Sequence, residues 1–306
     1  MKALRTLLTA GLLACSVAVV AQNDKPYLTK SFPAAGFTHL KVETSGGSLT
    51  VLGQNAGDAR IEMYVQGNGD DRLSDAEIKE RLEKYYQVSI DKDATTLTAI
   101  AKRVSDNNWN WRNNLNISFK VFVPTTMSSD LRTSGGSVSL SNLNGEQKAI
   151  TSGGSIHVEN LKGNAVVRTS GGSIEVGNIA GTLDAVTSGG SIRATGNLGN
   201  SKLKTSGGSI RLSSVSGSLE AHTSGGSIHA DITGLGDRLS LSSSGGSIEV
   251  KMPLDKGMDL DLRGNKVQVA MNNFSGTVED DHVQGKLNGG GIPVRMSTSG
   301  GRVRIN

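Results

Sequence analysis

The dominant pattern in the chain is an alternation of apolar and polar positions, interrupted at intervals by paired glycines. After Ser-Gly-Gly-Ser come apolar, polar, apolar: Val138 and Leu140, Ile156 and Val158, Ile174 and Val176, Ile210 and Leu212, Ile248 and Val250. Period two predicts a strand with one buried face. A second strand precedes each glycine pair, with Leu131, Ala149, Val167, Ala185, Leu203, Ala221 and Leu241 in one apolar row. Two residues further on runs a row of Thr133, Thr151, Thr169, Thr187, Thr205 and Thr223, with Ser243. The same periodicity turns this row inward too. The position between is mixed and faces outward: Arg132, Ile150, Arg168, Val186, Lys204, His222 and Ser242.

The glycine pairs are themselves periodic. Ser-Gly-Gly places its serine at 45, 134, 152, 170, 188, 206, 224, 244 and 299. The step is 18 residues from 134 to 224 and then 20. A fixed period of this length is the mark of a solenoid, in which no unit buries its apolar face alone and stacking completes the core. Glycine between two strands takes left-handed or close-packed backbone at little cost, so it marks a tight turn. The opposite corner reads Asn-apolar-x-Gly, as in Asn142–Gly145, Asn160–Gly163 and Asn178–Gly181. Each unit is therefore strand, turn, strand, turn. Coils about 4.8 Å apart would make seven of them a rod of about 34 Å.

The expected fold is all-β: a parallel β-solenoid with two short strands per 18-residue coil. A small α+β insertion lies near the N-terminus and a β cap at the C-terminus. Residues 1–21 read as a signal peptide, with Lys2 and Arg5, an apolar run to Val20, and Val19-Val20-Ala21 before Gln22. Residues 22–54 hold a first coil around Ser45, with Leu40, Val42 and Thr44 before it and Leu49 and Val51 after. Residues 55–125 read as an inserted α+β subdomain. There Ser74-Asp75-Ala76-Glu77 is a capping box, Leu73 and Ile78 suit a hydrophobic staple, and Ile78, Leu82 and Tyr85 or Tyr86 share a face. Strands should follow at Val88–Ile90, Leu97–Ala101 and Ile117–Val123. The regular repeat occupies 126–252, and 253–306 holds degenerate coils and the cap. In that last part Leu262–Val269 and Leu287–Val294 both resemble the repeat. The final Ser299-Gly300-Gly301 follows too closely for a coil and suggests a hairpin.

Composition narrows the class. Glycine is abundant at 40 residues while proline is only 5, which is neither collagen-like nor typical of disorder and fits short strands with tight turns. Half of the formal charge of +4 comes from Lys2 and Arg5 in the leader, and no basic run follows, so nucleic acid is not an expected partner. The single cysteine, Cys15, lies in the leader. Leu12-Leu13-Ala14-Cys15 resembles a lipoprotein box, but the apolar run continues past it, which favours an unlipidated leader. No later segment is apolar enough to span a bilayer as a helix.

No catalytic constellation emerges. There is no Gly-x-Ser-x-Gly elbow, and none of His39, His157, His222, His229 and His282 has metalloprotease spacing. No cofactor or metal is expected. Gln66–Leu73 resembles a single calcium-binding nonapeptide, although such sites need consecutive copies, and Glu279–His282 reads as a solvated acidic loop. The glycine rows could form anion nests, but tight turns account for them. Trp109 and Trp111 sit two apart in a polar stretch, where they could stack on sugars or dock into a partner, or pack over the subdomain.

The repeated Thr-Ser-Gly-Gly-Ser-Ile, the capped helix before Phe119–Pro124, and the closing Gly285–Gly291 resemble the bacterial "putative adhesin" family of β-strand-repeat envelope proteins, a domain of unknown function. The resemblance implies an exported β-solenoid without known catalytic residues. The reading that follows is a non-catalytic, adhesin-like structural or interaction protein, periplasmic or associated with the cell surface or outer membrane. Its partner would be an envelope, matrix or host macromolecule, protein or glycan. Binding would use Trp109 and Trp111 or the outward strip of Arg132, Arg168 and Lys204. The alternatives are a polysaccharide-cleaving β-helix enzyme, hinted at by Arg193 beside Arg211, and an ice- or cation-binding solenoid, which the inward Thr rows disfavour.

Overall fold

The computed structural model describes residues 25–33, 36–68, 73–104 and 114–306. The leader with Cys15, the pair Trp109 and Trp111, and residues 69–72 of the nonapeptide-like loop lie outside the described residues.

The chain folds into a parallel β-solenoid. Between glycine corners it runs as single 14-residue strands, Ile156–Thr169, Ile174–Thr187, Ile192–Thr205 and Ile210–Thr223. Each stacks in register on the next, so Ile156 lies beside Ile174, then Ile192, then Ile210. The asparagine turn between the two expected strands is a bend inside one continuous ladder. Asn142, Asn160 and Asn178 make the bend at positive φ (58°, 55° and 53°), a region their short polar side chains tolerate. Their amides also bond along the axis, Asn160 to Asn142 at 3.3 Å and Asn178 to Asn160 at 3.2 Å. Leu143, Leu161 and Ile179 follow the bend and are buried, so the coil has a short third side.

The glycine corners stack in one file. These glycines do not need positive φ; they need closeness. A Cβ on Gly154 would collide with the carbonyl oxygen of Gly136, and every second glycine from Gly136 to Gly301 meets the same obstacle in the rung before it. The first glycine is different: a Cβ on Gly153 would find its nearest neighbour at 3.5 Å, an ordinary contact.

Beside the glycines, the expected Thr row is buried and its hydroxyls are fully used. Thr169 Oγ1 donates to the Gly154 carbonyl at 2.8 Å and accepts from the Gly172 N–H at 3.3 Å. The same pair of bonds recurs at Thr133, Thr151, Thr187, Thr205, Thr223, Ser243 and Thr298.

Both ends are built out of chain order. Strands His39–Thr44 and Leu49–Gln54 form the rung at Ser45. On one side they pair with Ser128–Thr133 and Val138–Asn144, where the regular repeat begins. On the other they pair in parallel with Thr96–Arg103 and Leu115–Pro124. Two strands of the expected 55–125 insertion, Thr96–Arg103 and Leu115–Pro124, thus extend the rod by a rung. Antiparallel strands finish that end: Tyr86–Lys92 on Thr96–Arg103, Ala59–Gly67 on Leu115–Pro124, and Leu28–Phe32 on Ala59–Gly67. Helix Asp75–Tyr85 has the expected capping box, Ser74 with Glu77, and buries Ile78 and Leu82.

The C-terminal end corrects two expectations. Ile292–Thr298 and Arg302–Ile305 make a complete rung around Ser299, not a hairpin. It stacks directly on the rung at Ser244, with Leu239 beside Val294 and Ile248 beside Val303. The earlier segments Met258–Arg263 and Lys266–Val269 lie outside it, as the expected coil. The antiparallel strands His282–Leu287 and Phe274–Val278 complete that end. Gly289, Gly290 and Gly291 are no glycine corner: their φ values of 86°, 86° and 147° belong to a turn that carries the chain back into the rod.

Two substitutions test the corner. Gly154→Ala should cost about 1–3 kcal/mol or more through overpacking, while Gly153→Ala should stay within about 1 kcal/mol of wild type. Thr169→Val should cost about 1–3 kcal/mol by stranding a buried carbonyl and N–H, and Thr169→Ser should recover most of it, as Ser243 makes the same bonds. Denaturant unfolding of the four variants measures these differences; equal effects of the two alanines would refute the packing account.

Candidate functional site

With the inward positions consumed by the core, the regular repeat offers its outward rows for recognition. Two flank the glycine corner. Before it runs Glu43, Arg132, Ile150, Arg168, Val186, Lys204, His222 and Ser242, in register. After it runs Ser139, His157, Glu175, Arg193, Arg211, His229 and Glu249. Parallel stacking holds each outward side chain one rung, about 4.8 Å, from the next.

Arg132, Arg168 and Lys204 do lie in one row, but on alternate rungs, with Ile150 and Val186 between them. Two of them are engaged by the protein itself. Arg132 is gripped by Asp130 through two hydrogen bonds of 3.0 and 3.1 Å. That hydrogen bond and charge, with Glu43 nearby, raise the guanidinium above its usual proton affinity. Arg168 reaches across a rung to Asp184 at 2.5 Å. Lys204 is exposed and makes no ion pair among the described residues. The three therefore do not form a common cationic site.

A further outward row, four residues before each corner serine, alternates in charge. Lys41 faces Asp130, which faces Lys148; further along, Asp184 faces Lys202, which faces Glu220. Lys202 and Arg238 both bridge to Glu220, at 3.4 and 3.9 Å. Aligning the repeats would have exposed this row, had that position been read across rungs instead of along the chain.

Catalytic and metal chemistry find little support in the geometry. His222 Nδ1 lies 2.7 Å from Ser242 Oγ, the distance of a nucleophile and its base. The pair stands on an open sheet face whose backbone N–H groups are spent on the parallel ladder, so no oxyanion donors converge there. Among the described residues no three His, Cys, Asp or Glu side chains gather as a metal group. His282, of the acidic loop, turns to Asp261 at 3.2 Å. The Thr hydroxyls that ice binding would use point inward and are bonded.

Asp261 is the most clearly perturbed acid of the C-terminal end. Burial works to raise it, but hydrogen bonds from Arg263 and His282, with their charges, outweigh burial and hold it below its ordinary value of 3.8. A depressed acid stabilises the folded state at neutral pH, and that contribution is lost as pH falls through its folded value. Hydrogen-exchange protection factors of residues 258–287, corrected for the intrinsic pH dependence of exchange, should therefore fall below about pH 4. In Asp261→Asn the acid dependence should flatten. An unchanged acid profile in that variant would show that the cap is loosened by other groups.

The family model described as Toastrack DUF4097 matches residues 37–306. Solved structures that match the chain do so at low identity. A "putative lipid binding protein" from Parabacteroides distasonis ATCC 8503 is 14% identical, with a TM-score of 0.44 over 93% of this chain and 98% of that one. A "putative adhesin" from the same organism is 13% identical, with a TM-score of 0.41 over 91% and 96%. A "putative cell adhesion protein" from Clostridium sporogenes ATCC 15579 is 12% identical, with a TM-score of 0.25 over 91% and 97%. No curated protein matches the sequence.

Proposed function

The chain belongs to the Toastrack DUF4097 family, and from that premise we propose a non-catalytic, adhesin-like interaction protein of the bacterial envelope. One observation carries the reading. The repeat spends its recurring threonine and aliphatic residues on the interior and its glycines on the stacked corners, and leaves the outward rows mixed and charged. A scaffold so arranged displays side chains on rigid faces at fixed spacing, which serves recognition of an extended partner. A catalytic centre would need converging groups in a cleft instead. The apolar leader of residues 1–21 supports export. Among the described residues no helix is long and apolar enough to cross a membrane.

Protease treatment of intact cells tests the placement. The protein should be digested while a periplasmic marker survives. Survival until lysis would exclude a surface adhesin and redirect the search to a periplasmic partner.

A further inference from the structure

Neighbouring strands favour opposite charges side by side and penalise like ones. The row from Lys41 to Glu220 follows that rule. The row after the glycine corner breaks it in the middle of the rod. Arg193 and Arg211 lie directly opposite one another on adjacent rungs. Both are exposed, and neither makes an ion pair among the described residues. Lys204 stands on the near side of the same corner that Arg211 follows, also exposed and unpaired. His222 and His229 occupy the matching positions one rung on. No acid sits at these flanking positions on the three rungs; Glu175 and Glu249 bound the patch at either end.

The corner itself adds hydrogen-bond donors. Ser209 Oγ accepts the N–H of Ser227, and Ser191 Oγ accepts that of Ser209. A serine hydroxyl that accepts in this way keeps its own proton to donate. The result is a convex ridge along the rod axis. It carries two guanidinium groups one rung apart and an ammonium group across the corner from one of them, with the serine hydroxyls at the corner.

Resting on the interaction reading above, we infer that this ridge, centred on Arg193, Lys204 and Arg211, binds a linear acidic glycan. The spacing suits a polymer with regularly repeated anions lying along the axis, and arginine is the side chain that grips carboxylates in a fork. Single-stranded nucleic acid is disfavoured, because it needs aromatic platforms for its bases and no Phe, Trp or Tyr occurs between Phe122 and Phe274. A lipid surface is disfavoured too. Membrane-binding patches gather about 4–8 basic residues, and this ridge has three Lys and Arg side chains.

The test is calorimetric titration of the purified protein with polygalacturonate, with dextran as the uncharged control and a poly-dT strand as the competing polyanion. Polygalacturonate should bind, dextran should not, and added salt should weaken the interaction. The double variant Arg193→Gln/Arg211→Gln should lose roughly tenfold or more in affinity, and Lys204→Gln a smaller factor. Arg132→Gln, on a distant rung, should bind as wild type does. All these side chains are exposed, so every variant should fold, and the double variant should melt at or slightly above wild type because a like-charge neighbour pair is gone. Three results would overturn the inference: no binding of polygalacturonate, undiminished binding by the double variant, or equal affinity for poly-dT. Binding undiminished in the double variant would leave the interaction reading standing while removing the ridge. Failure of cell-surface exposure would strike that reading alone.

Discussion

Each second glycine of a corner lies so close to the carbonyl of the previous rung that no side chain fits between them, and the rest of the rod depends on that approach. It lets the threonine beside it donate to that carbonyl and accept from its own rung's glycine, so one buried hydroxyl locks two rungs. An unbonded hydroxyl at such a depth would be costly, and a bonded one adds direction to an otherwise non-directional core. The ladders on either side then fall into register without shift from Ile156 to Thr187. Where the corner spacing lengthens from 18 to 20 residues, the glycine file continues and the extra residues appear as bulges at the far bend. The irregularity falls at the bend opposite the glycine corner.

A solenoid must also end. An unpaired parallel edge would invite further strands, so natural rods cover it. Here both ends use one device. A glycine rung from outside the regular repeat is laid against the stack, and a segment without the full motif is laid against that rung. At the N-terminal end the outer rung carries Ile117 and Ser118 where the glycine corner would be, and Thr44 donates to the Ile117 carbonyl as other threonines do to glycine. At the other end the last residues, 292–306, are held between the rung at Ser244 and the coil of residues 258–269. Antiparallel strands then replace parallel ones, and the edge becomes a closing meander.

The surface obeys weaker rules. Outward side chains make ion pairs along strands and across rungs, such as Arg132 with Asp130 and Arg168 with Asp184, each partly exposed and each worth little to stability. Such a face is free to vary in charge while the core stays fixed. That freedom explains why one architecture can display different chemistry, and why the architecture alone does not name a partner. The run of like charges at Arg193 and Arg211 stands out because the neighbouring row shows what the same backbone does when stability alone is served.

The sequence by itself determined the solenoid, its period, the inward Thr row and the capped helix, because all of them are local. Two-residue alternation and an 18-residue step are properties of the chain read in order. It could not determine which rungs touch when the step is broken. The steps of 89 residues from Ser45 to Ser134 and of 55 from Ser244 to Ser299 hide two direct contacts, since stacking joins rungs by shape and not by chain distance. Nor could it say that Arg132 and Arg168 are occupied and Lys204 is not. That depends on which acid lies two positions away or one rung across, and only the folded register brings those side chains together.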